Sequence, residues 1–161
     1  MTTRGKNTVI AYIAGLFDGE GHITLYRSNS ETWKRRFPRY EIQIGVTNND
    51  RNVIYWLKKL YGGSIRERFR DHPRWKTCYN WKLSSNQATD FLKKIRKYLR
   101  IKGERADIVI EFQERRKRKK NRFAQMTLKD YTYSEACWEA MGKLNSKGVH
   151  PQRLTEKTTE K

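Results

Sequence analysis

Val9-Ile10-Ala11-Tyr12-Ile13-Ala14-Gly15-Leu16-Phe17-Asp18-Gly19-Glu20-Gly21-His22-Ile23-Thr24-Leu25-Tyr26 decides how this chain folds. Its first half is helical, because Val9, Ile10, Tyr12, Ile13, Leu16 and Phe17 recur with the three-and-four spacing of one helix face. Asn7 or Thr8 is available as the N-cap, and Gly19 and Gly21 end the helix. From His22 the period drops to two: Ile23 and Leu25 alternate with Thr24 and Tyr26, the mark of a strand with one face buried. A second feature lies along the helix, where Ala11, Gly15 and Gly19 follow at i, i+4 and i+8. Such a stripe lets another helix backbone approach closely, within one subunit or between two.

Downstream, the two periods keep exchanging. Phe37 to Val46 alternates Tyr40, Ile42, Ile44 and Val46 with Arg39, Glu41, Gln43 and Gly45. Asn49-Asp50 can cap a helix carrying Val53, Ile54, Trp56, Leu57 and Leu60, closed by Gly62-Gly63. Two further strands follow, Ser64 to Arg70 and Trp75 to Leu83. Asn86 then caps a helix running to Leu99, Lys102 to about Arg116 forms another, and Ser134 to Leu144 a last one. The expected order is αββαββα with extra C-terminal helices, an α+β class with an antiparallel sheet. Residues 1–148 read as one domain and 149–161 as a polar tail.

Composition narrows the partner. The 161 residues hold 36 Lys and Arg against 17 Asp and Glu, a formal charge of +19 that calls for a polyanion. With 12% aromatic residues the chain is a folded body with a basic surface, not a disordered basic tail. The apolar run from Val9 to Phe17 is far short of the roughly 20 residues a membrane-spanning helix needs, so no membrane association is expected. Cys78 and Cys137 are isolated, and His22, His72 and His150 dispersed, which disfavours a zinc site or a disulfide framework and suits a reducing compartment.

Ile13-Ala14-Gly15-Leu16-Phe17-Asp18-Gly19-Glu20-Gly21 resembles the motif that names the LAGLIDADG homing endonucleases. It stands at the end of a first helix and directly before a hairpin, as in that family. Val46-Thr47-Asn48-Asn49-Asp50, Leu60-Tyr61-Gly62-Gly63-Ser64-Ile65 and Leu99-Arg100-Ile101-Lys102 extend the likeness over roughly residues 8–145. The resemblance implies a site-specific, metal-dependent double-strand DNA endonuclease. One motif implies a homodimer, with Ala11, Gly15 and Gly19 at its interface. Two identical subunits prefer a near-palindromic target.

The resemblance also implies roles. The final acid of the motif, Glu20, is the metal ligand and catalytic carboxylate, one per subunit, with the Gly19 carbonyl assisting. Asp18 matches a structural position. Acids at a helix C-terminus add to the negative end of the dipole, a crowding that an oxygen-ligated Mg²⁺ relieves. Mn²⁺ is expected to substitute, and Ca²⁺ to bind without supporting cleavage. Asn48 corresponds to the polar residue that organises metal-bound water, and Lys102 to the basic residue at the scissile phosphate. Read on their own, Asn48 is more simply a turn former and Lys102 a helix-start lysine, and the spacing also admits Arg51 or Asn52.

The expected DNA-reading residues are the outward ones of the strands: Tyr26, Ser28, Arg39, Glu41, Gln43, Arg66, Arg68, Arg70, Asn80 and Lys82. Arg suits guanine, Asn and Gln adenine, and Glu cytosine. Strands of about ten residues would lie in the major groove, two subunits covering on the order of twenty base pairs. A solvated sheet face is the plainer account of the same alternation. Arg115 to Lys120, with Lys143 and Lys147, are expected to hold phosphates or to form a basic linker. Three functions compete: the endonuclease, a non-cleaving maturase of the same fold that binds intron RNA, and an unrelated basic binder for which the motif is an accident. With no splicing residues flanking the motif, an intron-encoded enzyme is expected, acting in the cytoplasm or in the organelle whose genome encodes it.

Overall fold

The computed structural model describes residues 3–28, 36–69, 76–117 and 126–146. The elements run α1 (Thr3–Glu20), β1 (Gly21–Arg27), β2 (Tyr40–Asn48), α2 (Arg51–Tyr61), β3 (Ser64–Arg68), β4 (Cys78–Ser84), α3 (Ser85–Ile95), a 3₁₀ turn at Arg96–Tyr98, α4 (Gly103–Lys117) and α5 (Leu128–Asn145). This is the expected α+β order with two extra helices at the end. The strands form one antiparallel sheet in the order β1-β2-β4-β3.

Strand parity divides the sheet into two faces. Ile23, Leu25, Tyr40, Ile42, Ile44, Val46, Trp81 and Leu83 are all buried on one. That face is covered by α1, α2 and α3, which contribute Ile13, Ala14, Phe17, Ile54, Leu57, Ala88, Leu92 and Ile95 to the same core. Phe91 is the hub, meeting Tyr61, Trp81 and Phe17 edge-on at centroid distances of 4.8, 5.2 and 5.4 Å. Truncating such a ring to alanine costs about 3–5 kcal/mol. Among the described residues no helix is long and apolar enough to cross a membrane.

Several boundaries differ from the sequence expectation, each for a local reason. α1 begins at Thr3, so Asn7 and Thr8 lie within it and are not its cap: nothing in Lys6-Asn7-Thr8 breaks a helix, and all three side chains face out. β2 starts at Tyr40 because Pro38 offers no N–H and Phe37 turns away to stack on Tyr131 at 5.0 Å. Ser28 and Arg39 still close the hairpin through Ser28 N–H to the Arg39 carbonyl at 2.8 Å. The strands have seven, nine, five and seven residues, so only β2, about 30 Å long, approaches the expected span.

Asp50 caps α2 as expected, accepting from Asn52 and Val53 N–H. Asn86 does not cap α3. β4 passes straight into the helix through Ser85 at φ +47, and the Asn86 side-chain oxygen Oδ1 instead accepts from the Gln113 amide on α4 at 2.8 Å. Ile95 ends α3, and Leu99 lies beyond the 3₁₀ turn. α5 begins six residues before Ser134, where Thr127 and Asp130 form a reciprocal capping box. Arg70, Trp75, Arg118 to Lys120, Lys147 and the polar tail lie outside the described residues.

Candidate functional site

The end of α1 sends its two acids in opposite directions. Asp18 is turned inward, 9% exposed, and its carboxylate accepts the backbone N–H of Arg100 at 2.7 Å and of Lys102 at 3.0 Å. It thereby holds the segment that opens α4, whose first-turn bond runs from Ala106 N–H to the Lys102 carbonyl. Lys102 reciprocates: its ammonium donates to the Asp18 carbonyl. A cation at the C-terminal end of a helix meets the negative pole of the dipole, so this placement is favourable. Burial pulls the Lys102 ammonium below the ordinary lysine range and Arg105 adds to that, while Asp18 and Glu20 oppose it.

Glu20 is exposed and has no hydrogen-bond or ion-pair partner among the described residues, so with Asp18 committed it is the carboxylate the motif leaves open. Among the described residues no three His, Cys, Asp or Glu converge on a metal site. One open carboxylate does not make a closed structural site. It fits a hard ion such as Mg²⁺, which keeps waters and shares its shell between one or two carboxylates and substrate phosphates. The donors expected from the sequence, Glu20 and the Gly19 carbonyl, both lie in the last turn of α1.

Asn48 stands at the end of β2, two residues past Val46, which pairs with Gly21. Its side-chain oxygen accepts from Asp50 N–H at 2.8 Å, the turn-forming bond. That leaves the amide NH₂ as the group it can offer elsewhere.

Of the ten expected reading residues, nine are described, and strand parity places all nine on the face opposite the core. The register sets them in rows: Ser28 beside Arg39, Tyr26 opposite Glu41, Gln43 opposite Ser84, Lys82 between Gly45 and Ser64, Asn80 between Thr47 and Arg66, and Arg68 opposite Cys78. Arg39 and Glu41 pair at 3.1 Å and are both more than half exposed, so solvent or DNA can replace the pairing cheaply. Asn80 differs from the rest. Its NH₂ donates to Thr47 at 2.5 Å, and its carbonyl oxygen is buried without a partner among the described residues, so the amide lies along the face instead of projecting from it.

Sequence reasoning missed His22 and Thr24 on this face. His22 is the first outward side chain after Glu20. Burial lowers its imidazole pKa, and the charges of Lys82 and Lys102 lower it further. The alternation that picked Tyr26 as an outward residue also picks His22 and Thr24, so the signal was present.

The described part of the basic burst, Arg115 to Lys117, belongs to α4. Arg115 lies over the Tyr133 ring at 3.9 Å, Arg116 donates to the Tyr40 carbonyl at 2.9 Å, and Lys117 pairs with Glu114 at 3.4 Å. These three are the last turn of α4 and not a linker. Lys143 is exposed in the last turn of α5. On α1, Ala11, Gly15 and Gly19 all face outward, and a Cβ placed on Gly15 or Gly19 would meet nothing within 4 Å. Tyr12, 57% exposed, lies beside them, with its ring against Trp56 of α2 at 6.0 Å.

Residues 13–112 match the sequence profile of the family described as LAGLIDADG endonuclease. No curated protein matches the sequence. Among solved structures the chain is similar to the homing endonuclease I-CvuI in complex with its target in the presence of calcium. That match has 16% identity over 85% of this chain and 82% of that one, with a TM-score of 0.66. It is also similar to the archaeal intron-encoded homing endonuclease I-Vdi141I complexed with DNA, at 17% identity, 91% and 89% coverage and a TM-score of 0.68. The I-SmaMI homing endonuclease bound to cleaved DNA matches at 18% identity and a TM-score of 0.62, over 80% of this chain but 42% of that one. At these identities the likeness is one of fold. The profile, which spans the motif, the whole sheet and the Lys102 segment, establishes that this chain belongs to the LAGLIDADG endonuclease family.

Proposed function

We propose that the protein is a homodimeric, site-specific endonuclease that hydrolyses both strands of a near-palindromic DNA target with a divalent metal, and that an intron encodes it. The observation that carries this reading is the division of labour at the end of α1. Asp18 is consumed in fixing Lys102, which leaves Glu20 open beside a cation at the rim of a sheet face rich in Arg, Lys and Gln. Support comes from the fold neighbours, which are homing endonucleases in complex with DNA, and from I-CvuI structures containing calcium or magnesium.

Glu20 and the Gly19 carbonyl would hold Mg²⁺ or Mn²⁺, which when bound polarises the phosphate and eases ionisation of water. The remaining work falls to this chain. Lys102 places positive charge where the phosphate gains negative charge. The Asn48 amide donates to water near the phosphate. The outward sheet residues fix the register of the duplex, and the exposed Ala11-Gly15-Gly19 stripe of one copy meets that of a second, bringing two Glu20 side chains to the two strands.

The test is cleavage of duplex DNA carrying the intronless host locus, with Mg²⁺ and with chelator. One cut with short 3′ overhangs, lost in Glu20→Gln while binding persists, supports the reading. Binding without strand breaks under any divalent ion sinks it in favour of a maturase.

A further inference from the structure

The register sorts the outward side chains into rows across the sheet, and the row that starts from β1 two residues past Glu20 is unlike the others. It runs His22 on β1, Gly45 on β2, Lys82 on β4 and Ser64 on β3. Its β2 position has no side chain. A Cβ built on Gly45 would stand 2.7 Å from Cε1 and 3.1 Å from Nε2 of His22, and 2.4 Å from the Trp81 carbonyl. The imidazole therefore leans across the place a β2 side chain would occupy, and any residue larger than glycine would dislodge it.

Within the described residues neither ring nitrogen is hydrogen-bonded, although the ring is half-buried. A half-exposed polar group that the protein leaves unpaired is open to water or to a ligand. This one faces away from the core, toward whatever covers the sheet, with Lys82 and Lys102 as its charged neighbours. An imidazole can donate or accept, so it can address the edge of any base pair in the major groove. His22 is two residues from Glu20, roughly 7 Å along an extended chain.

We propose that His22 is a specificity-determining residue: from its seat over Gly45 it hydrogen-bonds the edge of the base pair next to the cleavage step in each half-site. The Gly45 gap gives the ring room to lie flat, and Lys82 and Lys102 draw the flanking phosphates toward it. This assignment rests on the endonuclease reading above.

The experiment is binding selection from a randomised duplex pool, followed by mapping of the cut on the enriched sequence. Wild type, His22→Ala, His22→Phe and Tyr26→Ala are compared. His22→Phe keeps the ring's bulk and removes its nitrogens, so a defect in it is not a packing loss. Both His22 variants should lose about tenfold discrimination at the position beside the cut, the value of one well-placed base contact, and keep the outer positions. Tyr26→Ala should flatten a position farther out. His22 profiles that superimpose on wild type, or that weaken evenly everywhere, overturn the assignment and leave the endonuclease reading standing. A wild-type protein with no base preference at any position overturns both.

Discussion

Replacing Asp18 by asparagine tests the clamp that places Lys102. The Asp18 carboxylate is buried and receives two backbone N–H groups, at 2.7 and 3.0 Å, from the segment that opens α4. Hydrogen bonds to a charged acceptor contribute about 1.5–3 kcal/mol each, so the pair is worth about 3–6 kcal/mol. Asparagine keeps the shape and one acceptor oxygen. Its NH₂ must then face the second N–H, which loses one bond and strands a buried donor. The expected loss is about 2–4 kcal/mol, a large share of the roughly 5–15 kcal/mol that holds a domain together. Urea unfolding of the metal-free protein measures it, and DNA binding and cleavage are read on the same variant. Binding should survive while cleavage slows, because the sheet face is untouched and Lys102 is loosened. A loss under about 0.5 kcal/mol would refute the claim that the carboxylate carries the clamp.

Two further expectations follow from parts remote from that clamp. Glu135 on α5 accepts from Tyr40 and, at 2.7 Å, from Arg27. Burial pushes its carboxyl pKa up, but the bonds from Tyr40 and Arg27 outweigh this, so the net shift is downward. A depressed pKa gives stability that is present above the unfolded value near 4.3 and lost as pH falls through the folded value. Glu135→Gln should therefore flatten the acid limb of a melting-temperature profile below about pH 4.3, with a loss on the order of 1 kcal/mol at neutral pH; an unchanged acid limb refutes the role. On α1, the Cβ that Gly15→Leu adds meets nothing within 4 Å and the change removes a flexible helix glycine from an exposed position, so thermal stability should hold or rise by up to about 1 kcal/mol. Sedimentation on DNA should show the dimer lost, and a variant that still dimerises and cuts would exclude this stripe as the seam.

Much of this was legible because it is periodic. The helix-to-strand switch at Gly21 and the alternation Arg39-Tyr40-Glu41-Ile42-Gln43-Ile44 are local signals that survive folding, since one face must reach the core. Thr127 and Asp130 spell a capping box, and α5 could have been started there. What local pattern could not supply was pairing between distant segments. Glu135 meets Arg27 across 108 positions, and Asn86 meets Gln113 across two helices, so neither residue announces its partner. The Asn86 expectation failed because Ser85 turns the chain with no loop to cap. His22 was passed over as one of three scattered histidines; what distinguishes it is the empty Gly45 position on the adjacent strand, visible only once the register is known.

The two margins of the sheet are treated differently. β1 is flanked by α5, whose Asn145 amide donates to the Ile23 carbonyl at 3.3 Å and whose Glu135 holds Arg27 at the strand's far end. β3, at the other margin, has no such cover among the described residues but is five residues long and carries Arg66, Glu67 and Arg68 in a row. An uncovered strand edge recruits other chains into growing ladders, and short charged strands are poor templates for it. Aggregation through this sheet is thus blocked by a helix at one border and by brevity and charge at the other. A chain trimmed ahead of Thr127 would bare the longer border, and its first failing would be insolubility.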